Sequence, residues 1–545
     1  MTDVALDFGT SNTVVACSNQ TTGRAETIEV PGVSSKLTYR ITPDGAEHSV
    51  WVVPSVIHYS ETETLIGDQV VSRGLAEHPS TFRWMKRSIA LASTKKKKTA
   101  QGFKSAAEAG EDFLTRVLTY PSDRLSLEKD AFTLTAPVEA FETYQDWLLR
   151  ICDKLRIQRV RLLDEPTAAI FGVHGATRKD ERFLVFDFGG GTLDVAVVRI
   201  DMTAQNDVRA IQLGHAGGDL GGMNIDLWLA EDFCTRHELD DHDKRELEAL
   251  ILRQAEATKI ELSDPNTDES EMQLLHTLGR APRLLRTTYT RRCKACDHGQ
   301  AAANSSRDSA CFGCLLIGRQ FLRQVKEKVD AALENALLKA GTRRADLTRV
   351  VVTGGTSLIP CVRRYLETEF QGVVEYDHPF DTVVRGACRG LVAPILRHDY
   401  AIEGHNPTTR QNEFQPLFSV GEEYPTPPER AVKFWIKGSI EGQAKVGLKV
   451  FEVSQARRRT VELGLVDREG VLRADSTVQT NRQYVCLNAD NPTFIVADPP
   501  LKLDGDQKRF HATFWVDDNR RLLVTVVDHR GKLEPILREH PVVRL

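Results

Sequence analysis

The sequence predicts an α/β domain followed by an all-β domain, and three observations carry that prediction. Strand and helix patterns alternate over residues 1 to about 395. Two strand–glycine turn–strand segments, DFGTSNT from Asp7 and DFGGGTLD from Asp187, recur within that span. Beyond about residue 400 the apolar residues alternate with period two and no amphipathic helix returns.

In chain order, VALDFG and NTVVACS form a strand pair around a glycine turn, with a further strand at AETIEV. DWLLRICDKLR has helical spacing, and RFLVFDFGGGTLDVAVVRI repeats strand, glycine turn, strand. Residues 225 to 263 read as helix. The segment from Ile317 to Gly341 places Phe321, Val325, Val329, Leu333 and Leu337 four apart on one expected face, with Gly341 as a C-terminal stop. RVVVTGG is strand and turn, and SLIPCVRRYLETEF is helix. AVKFWIKG, KVGLKVFEV, FHATFWV and LLVTVVDH are strands, the last two joined at Asp517-Asp518-Asn519. The expected domains are 1–395, a polar linker at 396–418, and a sandwich at 419–545.

At 545 residues the chain exceeds one core, and 41% hydrophobic with 27% charged residues is an ordinary globular composition. A net charge of −5 provides no global field for nucleic acid or an anionic membrane. The basic run Lys95 to Lys98 reads as a solvated loop. The first residues enter a strand directly, so no signal peptide is expected, and no apolar window reaches the roughly 18 residues of a membrane span. Cys17, Cys152, Cys234, Cys361, Cys388 and Cys486 are scattered singly, which suits reduced thiols and a cytoplasmic protein.

A turn built from glycine and small hydroxyl residues lets backbone N–H groups wrap a phosphate, and an aspartate at the strand end can hold a hydrated divalent metal. Two such turns suggest a clamp closing on a polyphosphate. HAGGDLGG (215–222) adds a third turn before a helix, and VVVTGGTSLIP a fourth.

This ordered set resembles the actin-like ATPase superfamily and, within it, the heat-shock protein 70 chaperones. The resemblance rests on LDFGTSNTVVA, HPSTFRWMKRSIA, FTLTAPVEAF, RLLDEPTAAIFG, VFDFGGGTLDVAVV, GGDLGGMNID, AEATKIELS, VVVTGGTSLIP and HPFDTVVRGACRG, over about residues 3–395. It implies a two-lobed actin-like (ribonuclease H-like) ATPase domain, with a fainter match of the second domain to the family's peptide-binding β-sandwich.

Carried over by residue, Asp7 and Asp187 would hold Mg²⁺ through water. Gly9, Thr10, Ser11, Asn12, Gly189, Gly190, Gly191 and Thr192 would cradle the phosphates of ATP or ADP, with Thr192 close to the γ-phosphate as one of the catalytic residues. Lys86 would reach the γ-phosphate, and Glu165 and Asp194 would position water and metal. Gly221 and Gly222 form the third turn. Glu256, Lys259 and Ser263 would meet ribose and adenine, and Gly354, Gly355 and Asp381 would close the nucleoside end. This chemistry needs charge neutralisation and placed carboxylates, with no covalent nucleophile.

The chain departs from the family's pattern at several points. Leu358 stands where a guanidinium would stack on adenine, with Ile260 offered by the neighbouring helix; Gln145 replaces the arginine that partners Pro137, and the linker PILRHDYAIEG is a poor copy. The chain stops after the sandwich, so no helical lid is expected.

Cys293, Cys296, Cys311 and Cys314 follow C-x2-C-x14-C-x2-C, within an insert at about 286–317. Four thiolates in two turns satisfy tetrahedral Zn²⁺ with no open position, a structural site; two redox pairs are the alternative. His298 is expected in solvent. The loop between the pairs lacks aromatic residues, which disfavours nucleic acid, although Arg280, Arg283, Arg286, Arg291 and Arg292 leave a phosphate contact open.

The expected function is a monomeric, chaperone-like, slow Mg²⁺-dependent ATPase acting on unfolded polypeptide, with a co-chaperone or exchange factor as a further partner. The rivals are an ATP-gated scaffold for one dedicated partner and a small-molecule phosphotransferase.

Overall fold

The computed structural model describes residues 2–19, 22–91, 93–137, 142–173, 178–202, 208–278, 281–297, 299–300, 308–389, 396, 398–406, 411–463, 474–489, 492–502, 506, 508–517, 520–530 and 534–545. The chain divides into two compact units, Met1–Leu391 and Val392–Leu545.

The first unit holds two lobes built on one plan. In lobe one, β1 (Asp3–Phe8) and β2 (Asn12–Ser18) pair antiparallel across the first DFG turn. Parallel β11 (Ala131–Ala136) and β12 (Arg159–Asp164) continue the sheet on one side. On the other lie β5 (His48–Pro54) and β4 (Ser35–Tyr39), with β3 (Ala25–Thr27) on β2. A small sheet of β6 (Ile57–Tyr59), β7 (Thr64–Ile66) and β8 (Thr81–Phe82) stands beside it, with helices α1 (Asp68–Ser72), α2 (Met85–Ala90), α3 (Ala106–Thr119) and α4 (Glu142–Lys154). In α3, Ser105 and Glu108 form a capping box.

Lobe two repeats the pattern. β13 (Arg182–Phe188) and β14 (Leu193–Met202) pair antiparallel across the second DFG turn, β15 (Val208–Gly218) extends β14, and parallel β19 (Arg349–Thr353) and β20 (Val374–Glu375) follow. Around this sheet lie α6 (Gly222–Arg236), α7 (Asp241–Ser263), α10 (Phe321–Ala340) and α11 (Pro360–Glu369). Each lobe has its own apolar core.

Helices α5 (Glu165–Val173) and α12 (Thr382–Ala387) cross so closely that a Cβ on Gly386 would lie 1.8 Å from the Ala168 carbonyl oxygen. Glycine is therefore required at that crossing.

The cysteine segment belongs to β16 (Glu269–Leu278), β17 (Ala281–Thr290), β18 (Ser309–Cys311), α8 (Lys294–Asp297) and α9 (Phe312–Gly318). Phe312, Leu316 and Tyr289 pack into the core of lobe two, so the segment is built into that lobe. His298, Arg280 and the side chain of Arg283 lie outside the described residues.

The second unit is all-β. One sheet runs β22 (Gln411–Phe418), β21 (Asp399–Asn406), β25 (Val450–Leu463) and β26 (Ala474–Cys486). The other runs β23 (Val432–Ile436), β28 (Phe510–Val516), β29 (Arg521–Asp528) and β30 (Pro535–Arg544), and β24 (Gln443–Leu448) pairs with β27 (Thr493–Leu501). In β28 alternate residues are buried, as the period-two pattern requires. The buried Arg509 guanidinium donates to both Asp528 carboxylate oxygens and to the carbonyl of Asp498, so its charge is met inside the unit.

Four expectations are corrected. Lys96–Thr99 is a strand, β9, paired with β10 (Gly102–Ser105); Lys97 donates to the Thr81 carbonyl at 2.6 Å, and this anchors the basic run. Residues 399–406 and 411–418, within the expected linker, are strands because Tyr400, Ile402, Leu417 and Phe418 enter the core of the second unit, with Pro416 beside a register shift. KVGLKVFEV is two strands, broken where Asn488 bonds the Leu448 carbonyl (2.7 Å) and the Val450 amide (3.0 Å). On α10, Leu337 is 47% exposed and Ala336 is buried. A step of four residues overshoots a full turn by about 40°, so a strict four-residue row drifts off the core face. The turn at Asp518 and Asn519 lies outside the described residues.

Candidate functional site

The two DFG turns face each other across the lobes. In the first, Ser55 holds the turn: its hydroxyl donates to the Gly9 carbonyl (2.8 Å) and its amide to the Ser11 carbonyl (2.8 Å). In the second, the Gly189 amide donates to the Thr192 carbonyl (3.0 Å). A Cβ on Gly190 would lie 2.1 Å from Ser11 Oγ, and one on Gly191 would lie 2.8 Å from Thr10 Cγ2.

The third turn backs the second. The Gly222 amide donates to the Gly189 carbonyl (3.2 Å), that of Met223 to the Gly190 carbonyl (2.8 Å), and that of Gly221 to Asn224 Oδ1 (2.8 Å). The fourth joins them through Thr356 Oγ1, which donates to the Gly189 carbonyl at 2.8 Å. Gly354 has φ 79°, and a Cβ there would lie 2.3 Å from the Phe188 carbonyl oxygen, so glycine is needed for both reasons.

Between the turns is a cavity of about 450 Å³, within the range that holds a small organic ligand. Of the residues expected at a nucleotide site, it is lined by Asp7, Gly9, Thr10, Ser11, Asn12, Lys86, Glu165, Asp187, Gly189, Gly190, Thr192, Glu256, Lys259, Ser263, Gly354 and Gly355. Asp194, Gly191, Gly221, Gly222 and Asp381 are not among its lining. Asp381 lies behind it, buried, with its carboxylate accepting from Arg385 Nε at 2.6 Å.

Charge is concentrated at one end. Lys86, on α2, places Nζ 2.6 Å from Glu165 Oε1, with side chains 12% and 9% exposed. Burial opposes the Lys86 ammonium, but Glu165, Tyr144 and Asp7 raise its pKa overall. Burial lifts the Glu165 carboxyl to about 7 against the pull of Lys86. Glu165 is not the cap of α5; Asp164 is, accepting from the Thr167 amide at 2.7 Å.

Asp187 and Asp194 are direct cross-strand partners, so both side chains leave the same face. Burial, then Glu165 and Asp194, push the Asp187 carboxyl well up. Asp7 accepts from Thr135 Oγ1 at 2.7 Å. Crowded carboxylates in which a buried aspartate resists ionisation suit a hydrated divalent cation, which would relieve the repulsion.

At the other end Lys259 pairs with Asp226 (2.8 Å), Ser263 Oγ donates to the Lys259 carbonyl (2.7 Å), and Glu256 lies 3.6 Å from Arg83. Ile260 and Leu358 line the cleft there.

The hairpin β4–β5 also contributes lining residues, Leu37, Thr38, Tyr39 and Arg40, which the motif reading missed. It spans the lobes: the Tyr39 and Phe380 rings are 4.7 Å apart, His48 meets His378 edge-on at 4.9 Å, and Arg363 donates to the Ile41 carbonyl. A second bridge joins Arg87 to Asp219 at 2.9 Å. The signal for the hairpin was present in SKLTY and HSVWVVP flanking Thr42-Pro43-Asp44-Gly45, a turn the structure forms with the Gly45 amide on the Thr42 carbonyl at 3.0 Å.

The Hsp70 protein family model matches residues 156–292, the stretch that contains Glu165, the second DFG turn and α7. Over this stretch the chain is similar to the heat-shock protein 70 family. Chaperone protein DnaK of Deinococcus deserti is 27% identical over 428 residues, covering 73% of this chain and 60% of that protein. DnaK of Thermosipho africanus is 24% identical over 409 residues, 74% of this chain and 60% of the relative. DnaK of Thermoplasma volcanium is 24% identical over 563 residues, 96% and 76%. The chain thus spans about three fifths of the length of the first of these relatives. The chain combines a two-lobed actin-like domain with a β-sandwich, in keeping with that similarity.

The second cluster of ligand-type atoms is Cys293, Cys296, Cys311 and Cys314, whose sulfurs all lie within 4.8 Å of one another. Cys293 to Cys314 is 3.3 Å and Cys296 to Cys311 is 3.9 Å, close to the edge of about 3.8 Å expected for a tetrahedron with zinc–thiolate bonds. The Cys296 backbone amide, then the Cys314 thiol, draw the Cys293 thiol down to about 7, while burial pushes the Cys311 thiol up. Among the described residues no helix is long and apolar enough to cross a membrane.

Proposed function

We propose that this chain binds ATP in the cleft and hydrolyses it slowly, using the cycle to control polypeptide binding by the β-sandwich. The observation that carries the reading is the stacking of Thr10 and Ser11 on Gly190 and Gly191, with the Lys86–Glu165 pair and Asp187 beside them. The turn amides and hydroxyls would bind the phosphates. Lys86 would neutralise charge developing on the γ-phosphoryl group, and Glu165 and Asp194 would orient the attacking water. Mg²⁺, held through water by Asp7 and Asp187, would supply charge neutralisation on the phosphate oxygens.

The base would lie between Ile260 and Leu358, with Tyr39 and Phe380 giving aromatic surface in place of a guanidinium. Tyr39→Ala is expected to weaken ADP binding roughly tenfold, read by calorimetry, because it removes a ring contact and loosens the hairpin across the lobes. Unchanged affinity would remove Tyr39 from the site.

Radiolabelled ATP should yield free phosphate with no labelled acceptor, faster in the presence of an unfolded peptide. Turnover indifferent to peptide, beside one tightly held partner protein, would favour the ATP-gated scaffold instead. A labelled small-molecule acceptor would favour the phosphotransferase.

The four cysteines would hold structural zinc. Purified protein is expected to carry one zinc per chain. Cys296→Ser should lose it and lower the melting temperature by about 5 °C, since binding of structural metal is folding free energy. Stoichiometric disulfides without metal would replace this reading with redox pairs.

A further inference from the structure

Lobe two carries a second cavity, of about 500 Å³, between α10, α11 and the cysteine segment. Its floor is apolar, with Phe312, Leu316, Ile317, Phe321 and Tyr365. Its rim is cationic: Arg291, Arg292, Arg323, Lys326 and Arg364 stand against one carboxylate, Glu369.

Part of that charge is already committed. Arg291 pairs with Asp268, Arg323 with Glu327, and Glu369 with Arg344. Lys326 and Arg364 form no ion pair among the described residues. The Lys326 ammonium lies 5.2 Å from the Tyr365 ring centre.

Two helices begin in the wall of this cavity. α10 starts at Phe321 after Gln320, and α11 at Pro360 after Ile359; neither has a side-chain cap or an acidic residue in its first turn. Both therefore add partial positive charge to a cavity that already has a cationic rim.

We propose that this cavity binds a small amphipathic anion, an aromatic or aliphatic body carrying a sulfonate, carboxylate or phosphate. An inorganic anion would leave the apolar floor uncovered, and a neutral apolar molecule would make no use of the cations. The volume suits a small molecule. The site also neighbours the nucleotide cleft. Ile359 lines both cavities, and the same segment gives Gly354 and Gly355 to the cleft and Pro360, Cys361 and Arg364 to this one.

The test is a fluorescence titration of the full chain with 8-anilinonaphthalene-1-sulfonate, run with excess Mg-ADP. N-phenyl-1-naphthylamine, the same rings without the sulfonate, is the neutral comparison. Lys326→Ala with Arg364→Ala, both at exposed positions, should weaken sulfonate binding roughly tenfold or more and leave the neutral probe within about twofold. Ile317→Trp, filling the floor, should abolish a saturable site for both probes while circular dichroism stays unchanged. Wild-type affinity for the sulfonate in the double variant would overturn the proposal. So would equal affinity for the two probes in the wild type. An acidic amphipathic peptide that binds through the same two cations where the sulfonate does not would overturn the small-molecule class. None of these readouts depends on ATP hydrolysis, so a failure here is distinct from failure of the ATPase reading.

Discussion

Lys86→Met will lower ATP turnover by roughly 10²–10³-fold while changing nucleotide affinity far less. The ammonium sits at the cleft end that holds Asp7, Glu165 and Asp187, so its charge would act on the group being transferred more than on the nucleoside. Stability should fall as well. Removing one member of a buried pair costs about 3–5 kcal/mol because the other is left uncompensated. Here the loss should lie at the low end, since burial has already brought the Glu165 carboxyl to about 7 and protonation can relieve it. Lys86→Met with Glu165→Gln separates the two effects. The double variant should recover most of the lost melting temperature, because no lone charge remains, and stay inactive. Wild-type turnover in Lys86→Met would end the assignment of Lys86, whatever happened to stability.

What could be read from the sequence divides by physical scale. The four glycine turns were legible because phosphate chemistry needs small residues next to one another, so each signature fits in eight or so letters. Their stacking was not legible. The closeness of Gly190 to Ser11 depends on how two sheets are set against each other, the two residues being 179 positions apart. The hairpin β4–β5 illustrates the same limit. Its strands and Pro43-Asp44-Gly45 turn follow from local pattern, but its partners Arg363, His378 and Phe380 lie more than 300 positions away. Lys96–Thr99 misled because charge argues for solvent and says nothing about backbone pairing, and an edge hairpin satisfies both. The segment 399–418 misled because its polar middle hid the apolar ends that anchor two strands. On α10 the error was arithmetical: a four-residue row is not the true helical period, and Leu337 left the face that Ala336 kept.

The same stacking yields the second large effect. Gly190→Val should weaken ADP and ATP binding by roughly 100-fold or more, at a folding cost of about 1–3 kcal/mol typical of overpacking. Alanine alone is a poor probe. Its Cβ would meet Ser11 Oγ at 2.1 Å, but a hydroxyl can rotate away, leaving the Ser11 Cβ at 3.2 Å, a contact that yields with a small shift. Valine differs because it adds two γ carbons beyond a Cβ that already lies 3.2 Å from the Ser11 Cβ, bulk that turning the Ser11 hydroxyl alone should not accommodate. Relief then requires the lobes to separate, which pulls Thr10 and Ser11 away from the phosphates that Gly189 to Thr192 would hold. The neighbouring glycine is the control: a Cβ on Gly189 finds nothing nearer than the Thr192 carbonyl oxygen at 3.8 Å, so Gly189→Ala should leave the melting temperature unchanged. Calorimetric titration of ADP into both variants, with melting curves beside it, gives the comparison. If Gly190→Val bound ADP as wild type does, the two turns would not close on one ligand, and the phosphate clamp would be lost as an account of this cleft.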